Sequence, residues 1–147
     1  MGRCSPEVEV DLPKPPVISI VDDDASVRAA TNNLVRSHGY CAHTFASAEE
    51  FLHSAYLNDT SCVIADVQMP VMSGIELLLL LRIRGHRVPV IFITAFPTEE
   101  LRARALKAGA AEFLAKPFDG TVLINCLDTS LKQNAEEATA HRMASRP

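Results

Sequence analysis

At 147 residues the chain has room for one domain of ordinary size with short flanking segments, and not for two. An apolar fraction of 48% with 22% charged residues is that of a soluble globular protein, and a net charge of −4 lacks the basic footprint of a general nucleic-acid binder. The N-terminal stretch is Pro-rich and acidic with no apolar signal core, and the longest apolar run, Leu77 to Leu81, is far too short to span a bilayer. A cytoplasmic protein that engages neither membrane nor nucleic acid is the expectation. The four cysteines form no C-x-x-C pair and have no His at metal-ligand spacing, which predicts small unpaired core residues in a reducing compartment.

Residues 1–15, with Pro6, Pro13 and Pro15, read as a flexible leader. The first strand is expected at Val17–Val21, followed by Asp24 as cap of a helix with Val27, Ala30, Leu34 and Val35 at helical spacing and Gly39 at its end. Tyr40–Phe45 reads as a strand. Ser47 to Glu50 has the capping-box spacing for a second helix, with Phe51, Leu52 and Ala55 as its apolar face. Cys62–Ala65 is a third strand ending in Asp66, and Pro70 and Gly74 punctuate the loop before a Leu-rich helix at about 75–84. Val90–Ile93 is a fourth strand ending in Thr94, followed by a helix at about 98–108 stopped by Gly109. Glu112–Ala115 is the fifth strand, ending in Lys116. Asp119 is expected to cap the last helix, whose apolar residues are Val122, Leu123, Cys126, Leu127 and Leu131; beyond about Gln133 a polar tail over 134–147 is expected to fray.

Strict strand–helix alternation with right-handed crossovers predicts an α/β protein, with helices on both faces of a parallel sheet. Parallel strands converge at one edge, and there the runs end in Asp22-Asp23-Asp24, Asp66, Thr94 and Lys116. Acids gathered without a cation repel one another, so a hard divalent ion is the simplest reason for the set, and Mg²⁺ favours a few carboxylate oxygens plus waters. A carboxylate that accepts phosphate needs its charge neutralised, the incoming group gripped and the nucleophile held in line. Asp22, Asp23 and Asp66 can supply metal oxygens, Lys116 a point charge for a phosphoryl oxygen and Thr94 a hydroxyl donor.

Val21-Asp22-Asp23-Asp24, Ala65-Asp66-Val67-Gln68-Met69-Pro70, Ile93-Thr94-Ala95 and Lys116-Pro117-Phe118 together resemble the receiver domain of two-component response regulators. Phe45 to Leu52 and Met72-Ser73-Gly74 make the likeness strongest to receivers of the FixJ subfamily. The resemblance covers about 16–132, with a receiver domain set at 16–133. It implies a flavodoxin-like (βα)5 fold with strand order 2-1-3-4-5 and the site at the switch between strands one and three. It implies Asp66 as phosphoacceptor, and Mg²⁺ held by Asp23, Asp66, the Gln68 backbone carbonyl and, through water, Asp22. Thr94 and Lys116 are then phosphoryl-binding. Thr94 and Phe113 form a switch pair, Phe113 moving inward when Asp66 is phosphorylated and reshaping the face of the fourth helix, fifth strand and fifth helix. The Lys116–Pro117 peptide is expected to be cis. Gln68 and Phe96 occupy the two positions that tune phosphate lifetime in the family, and Phe96, with no hydrogen bond to offer, is expected to shield the acyl phosphate.

The implied partners are a sensor histidine kinase or His phosphotransfer protein and a downstream protein target, with a phosphorylation-dependent homodimer as a further expectation. Five consecutive Leu cannot all face a sheet, so Leu79 or Leu80 is expected outside the buried stripe as a partner or self-association surface. A non-enzymatic, stand-alone receiver is favoured. The alternatives are a receiver fragment of a FixJ-type DNA-binding transcription regulator and an aspartyl-phosphate phosphatase, whose general acid two positions after the nucleophile would fall on Gln68.

Overall fold

The computed structural model describes residues 15–144, and beyond Ala135 its backbone alone. Five strands and five helices alternate: β1 (Val17–Val21), α1 (Ala25–Ser37), β2 (Cys41–Phe45), α2 (Ala48–Leu52), β3 (Cys62–Asp66), α3 (Gly74–Ile83), β4 (Val90–Thr94), α4 (Glu99–Lys107), β5 (Glu112–Ala115) and α5 (Gly120–Ala144), with a 3-10 turn at Leu57–Asp59. All pairings are parallel, in the order β2-β1-β3-β4-β5. This is the expected flavodoxin-like order.

Side-chain alternation splits the core into two layers. Val63, Ala65, Val90 and Phe92 face Phe51 of α2, the Leu-rich stripe of α3 and Ala105 of α4. Ile18, Ile20, Ile64, Ile91 and Ile93 face Val35 of α1 and Leu123, Ile124 and Leu127 of α5. Central strands covered on both faces explain why β3 and β4 are buried end to end. Burying such a side chain completely stabilises by about 1.5–3 kcal/mol, so these two layers dominate the folding energy.

The caps lie where side-chain chemistry placed them. Asp24 accepts from the N–H groups of Ser26 and Val27. Ser47 and Thr98 accept from Glu50 and Leu101, and the reciprocal capping box forms at Ser73 and Glu76 of α3. Of the consecutive leucines, Leu77, Leu78 and Leu81 are fully buried whereas Leu79 is 46% exposed.

Several local expectations need correction. Helix α2 ends at Leu52, because Ser54 turns back onto the Phe51 carbonyl, so Ala55 lies outside it and exposed. Val122 faces solvent, since the stripe of α5 runs through Leu123 and Leu127. The segment past Gln133 continues α5 to Ala144 as backbone, consistent with a run of good helix formers that lacks Gly and Pro. Cys62 and Cys126 are free thiols, but Cys41 is disulfide-bonded. The reading of four unpaired cysteines fails at Cys41. The expected leader lies outside the described residues apart from Pro15.

Candidate functional site: an acid–lysine pocket at the sheet edge

Register places the pocket. Val21 pairs with Ala65, so the next residues on these adjacent strands, Asp22 and Asp66, lie side by side at the carboxyl edge. Asp66 pairs with Ile93 and Thr94 with Ala115, which brings Thr94 and Lys116 to the same edge. Lys116 Nζ lies 3.0 Å from Asp22 Oδ2 and 3.0 Å from Asp66 Oδ2, bridging the two carboxylates. One oxygen each from Asp22, Asp23 and Asp66 falls within 4.8 Å of the others. Asp22 is fully buried and Asp66 nearly so, while Asp23 is exposed. The Lys116–Pro117 peptide is cis, as expected.

Backbone groups orient these acids. Asp22 Oδ1 accepts from the Asp24 N–H at 2.9 Å, and Asp66 Oδ1 from the Gln68 N–H at 3.0 Å. Asp22 Oδ2 has no aligned hydrogen-bond donor, the Lys116 contact being ionic. Desolvating a carboxylate is costly, and burial pushes the Asp22 carboxyl up from the usual carboxylate range, against the opposing pull of the Asp24 N–H and Lys116. Burial works to lower the Lys116 ammonium, but its contacts with Asp66 and Asp22 outweigh that and hold it up. The two directions are compatible: Asp22 bears most of the desolvation, whereas Lys116 remains partly solvated. Hard oxygens clustered around one underbonded, buried carboxylate suit a small divalent cation.

One positioning feature, Arg28, escaped the sequence reading, and a second, Gly74, was named there only as loop punctuation and as part of a motif. Arg28, one turn into α1, donates from Nη1 to the Asp22 carbonyl at 2.7 Å and pins the β1–α1 loop. Gly74 opens α3 against the acceptor loop. Its N–H donates to the Val67 carbonyl at 2.8 Å, and a Cβ there would lie 2.5 Å from the Asp66 carbonyl and 2.9 Å from the Phe92 ring. Only glycine allows that approach. A basic residue early in α1 was the available signal for Arg28, and it is too common to single out.

Thr94 is fully buried, its Oγ1 accepting from the Phe96 N–H at 3.2 Å. Phe113 is 7% exposed and packed in the layer with Phe92. The Phe96 ring is 66% exposed, at the rim of the edge. The Gln68 side chain is exposed as well.

Residues 18–128 match the response regulator receiver domain family. The chain belongs to that family. The receiver is 37% identical over 126 residues to the transcriptional regulatory protein FixJ of Azorhizobium caulinodans, covering 86% of this chain and 60% of that protein. It is 39% identical over 116 residues to the response regulator protein TodT of Pseudomonas putida, covering 79% of this chain and 51% of that one. It thus spans about half to three-fifths of the curated relatives it matches. Among solved structures it resembles the crystal structure of FixJ-N, at 34% identity and TM-score 0.72 over 80% of this chain and 94% of that one. It also resembles the response regulator StyR, at 40% identity and TM-score 0.79 over 88% of this chain and 66% of that one. No helix among the described residues is long and apolar enough to cross a membrane.

Proposed function

We propose that this receiver is a phosphorylation-dependent signalling switch of a two-component system, with Asp66 as the phosphoacceptor. The observation that carries the reading is the Lys116 ammonium held 3.0 Å from both Asp66 and Asp22 at the sheet edge. The donor is a phosphohistidine on a sensor histidine kinase or His phosphotransfer protein. An Asp66 carboxylate oxygen bonds to phosphorus as the P–N bond breaks, and the electron pair stays on the imidazole nitrogen, which takes a proton from solvent. Lys116 turns from the acids to a phosphoryl oxygen, and the Thr94 hydroxyl, released from the Phe96 N–H, donates to another.

Asp22, Asp23, Asp66 and the Gln68 backbone carbonyl would hold Mg²⁺, which supplies charge neutralisation for the acids and the transferring group. Thr94 and Phe113 act as the switch pair, Thr94 turning toward the phosphoryl group and the Phe113 ring packing behind it. The α4–β5–α5 face then presents itself to a downstream protein target or to a second copy. The chain works as a cytoplasmic switch and not as a turnover enzyme, with Gln68 and Phe96 setting how long the acyl phosphate survives. The same chemistry serves a stand-alone receiver or one that governs a DNA-binding output domain.

Intact-mass measurement after acetyl phosphate and Mg²⁺ tests this. One added phosphoryl group in the wild-type protein and none in Asp66→Ala is expected. Equal modification of both proteins, or none of either, would overturn the assignment.

A further inference from the structure

At the opposite edge of the sheet, where β4 and β5 begin, Arg82 and Arg87 line a cavity of about 180 Å³ with Ser130 and Gln133 of α5, bordered by Pro89 and Gly109. Arg82 is held by its Nη1, which donates to the His86 and Val88 carbonyls at 3.1 and 2.8 Å. Its Nε and Nη2 have no protein acceptor among the described residues, and neither Arg82 nor Arg87 pairs there with a carboxylate. Asp59 and Arg87 both border a neighbouring cavity without forming an ion pair. Ser130 is buried, at 4% exposure.

We propose that this cavity binds a small phosphate-type oxyanion, either inorganic phosphate or the terminal phosphate of an ester. A guanidinium anchored through one nitrogen presents its remaining N–H edge as a fixed fork, the geometry that matches two oxygens of a tetrahedral anion. Arg87 adds a second, solvent-reaching cation, and the Ser130 hydroxyl and Gln133 amide add neutral donors. Burial and then the Arg87 charge push the Arg82 guanidinium below its ordinary value, and an anion between the two cations would relieve that repulsion. The volume admits a phosphate with accompanying water but not a macromolecule, and the net charge of −4 disfavours a polyanion such as nucleic acid. The site is independent of acceptor chemistry at Asp66.

Titration of ¹⁵N-labelled protein with inorganic phosphate, and separately with adenosine monophosphate, without divalent cations and at constant ionic strength, tests the proposal by amide and arginine Nε–H shifts. Saturable shifts at Arg82, Arg87, Ser130 and Gln133 are expected. Arg87→Gln, at an exposed position that leaves the fold intact, should weaken binding about tenfold, and Arg82→Lys should weaken it by losing the fork. A response to adenosine monophosphate at these residues assigns an ester, and a response to inorganic phosphate alone assigns the free ion. No saturable shift, shifts confined to Thr94 and Lys116, or an unchanged titration in Arg87→Gln would overturn the proposal.

Discussion

The two edges of the sheet carry opposite chemistry under opposite constraint. At the carboxyl edge the charges are gathered and paired, with Asp22 and Asp66 sharing Lys116 at 3.0 Å from each. At the amino edge Arg82 is tied to backbone carbonyls and Arg87 is exposed, with no carboxylate partner for either among the described residues. Strand ends impose the first arrangement, because parallel register leaves adjacent residues no freedom to separate. Helix ends and the α3–β4 loop build the second, with Arg82 half-buried at the end of α3 and Arg87 exposed in the loop. A paired, desolvated cluster is sensitive to any loss of charge balance, whereas an unpaired cationic cavity responds mainly to an added anion.

The largest effect is expected from Lys116→Met, which strips the carboxyl edge of its cation. Phosphoryl uptake from acetyl phosphate should slow by about 100-fold or more, as for loss of a charge-stabilising group. A rate within a few-fold of wild type would mean that the bridge is structural only. Next is the same substitution at one glycine of each edge. Gly74→Ala forces its new methyl into the Asp66 carbonyl and Phe92, and should lower unfolding free energy by about 2–3 kcal/mol in urea. Gly85→Ala, at φ +86 with open space around it, should cost about 1 kcal/mol through backbone strain alone. Equal losses would erase the contrast in packing between the edges.

Asp22→Asn sharpens the electrostatic side. The raised Asp22 pKa means that the folded state holds its proton more tightly than the unfolded state does. Stability from this group is therefore complete below its ordinary value of 3.8 and is lost as pH rises through the folded value. The variant should flatten that decline and, in divalent-free buffer at neutral pH, unfold about 1 kcal/mol later than wild type. It should also lose much of the stabilisation that Mg²⁺ confers. A melt unchanged with and without Mg²⁺ would break the reading of Asp22 as an underbonded metal ligand. The smallest effect is expected at the rim, where Phe96→Glu should speed loss of the proposed Asp66 phosphate severalfold. Equal phosphate loss from the two proteins, followed by intact mass over time, would remove Phe96 from the lifetime determinants.

Much of the pocket was legible in the chain because its residues mark the ends of short apolar runs. Asp66 and Thr94 end, and Asp22 and Lys116 directly follow, short apolar strands, and parallel order then carries them to one edge. The Leu77–Leu81 run was legible in the same way, since helical geometry alone requires some of those side chains to face out, and Leu79 does. Less could be read where the deciding neighbour is distant. Nothing local marks Arg28 as the clamp of the Asp22 carbonyl, and nothing near Cys41 marks it as half of a disulfide. Helix α2 stops early through a Ser54 hydroxyl bond that its capping signal does not foretell.

Alternation, caps and strand ends are short-range properties, so the amino-acid order by itself determined the five strand–helix units, their parallel packing and the residues delivered to the carboxyl edge. Which carboxylate is buried, that one lysine spans two of them, that Phe113 is buried and that Gly74 admits no methyl were decided only by tertiary structure. The physical reason is one of scale. Desolvation and contacts of about 3 Å depend on how separate strands and helices close upon one another, and no spacing along a single chain encodes that closure.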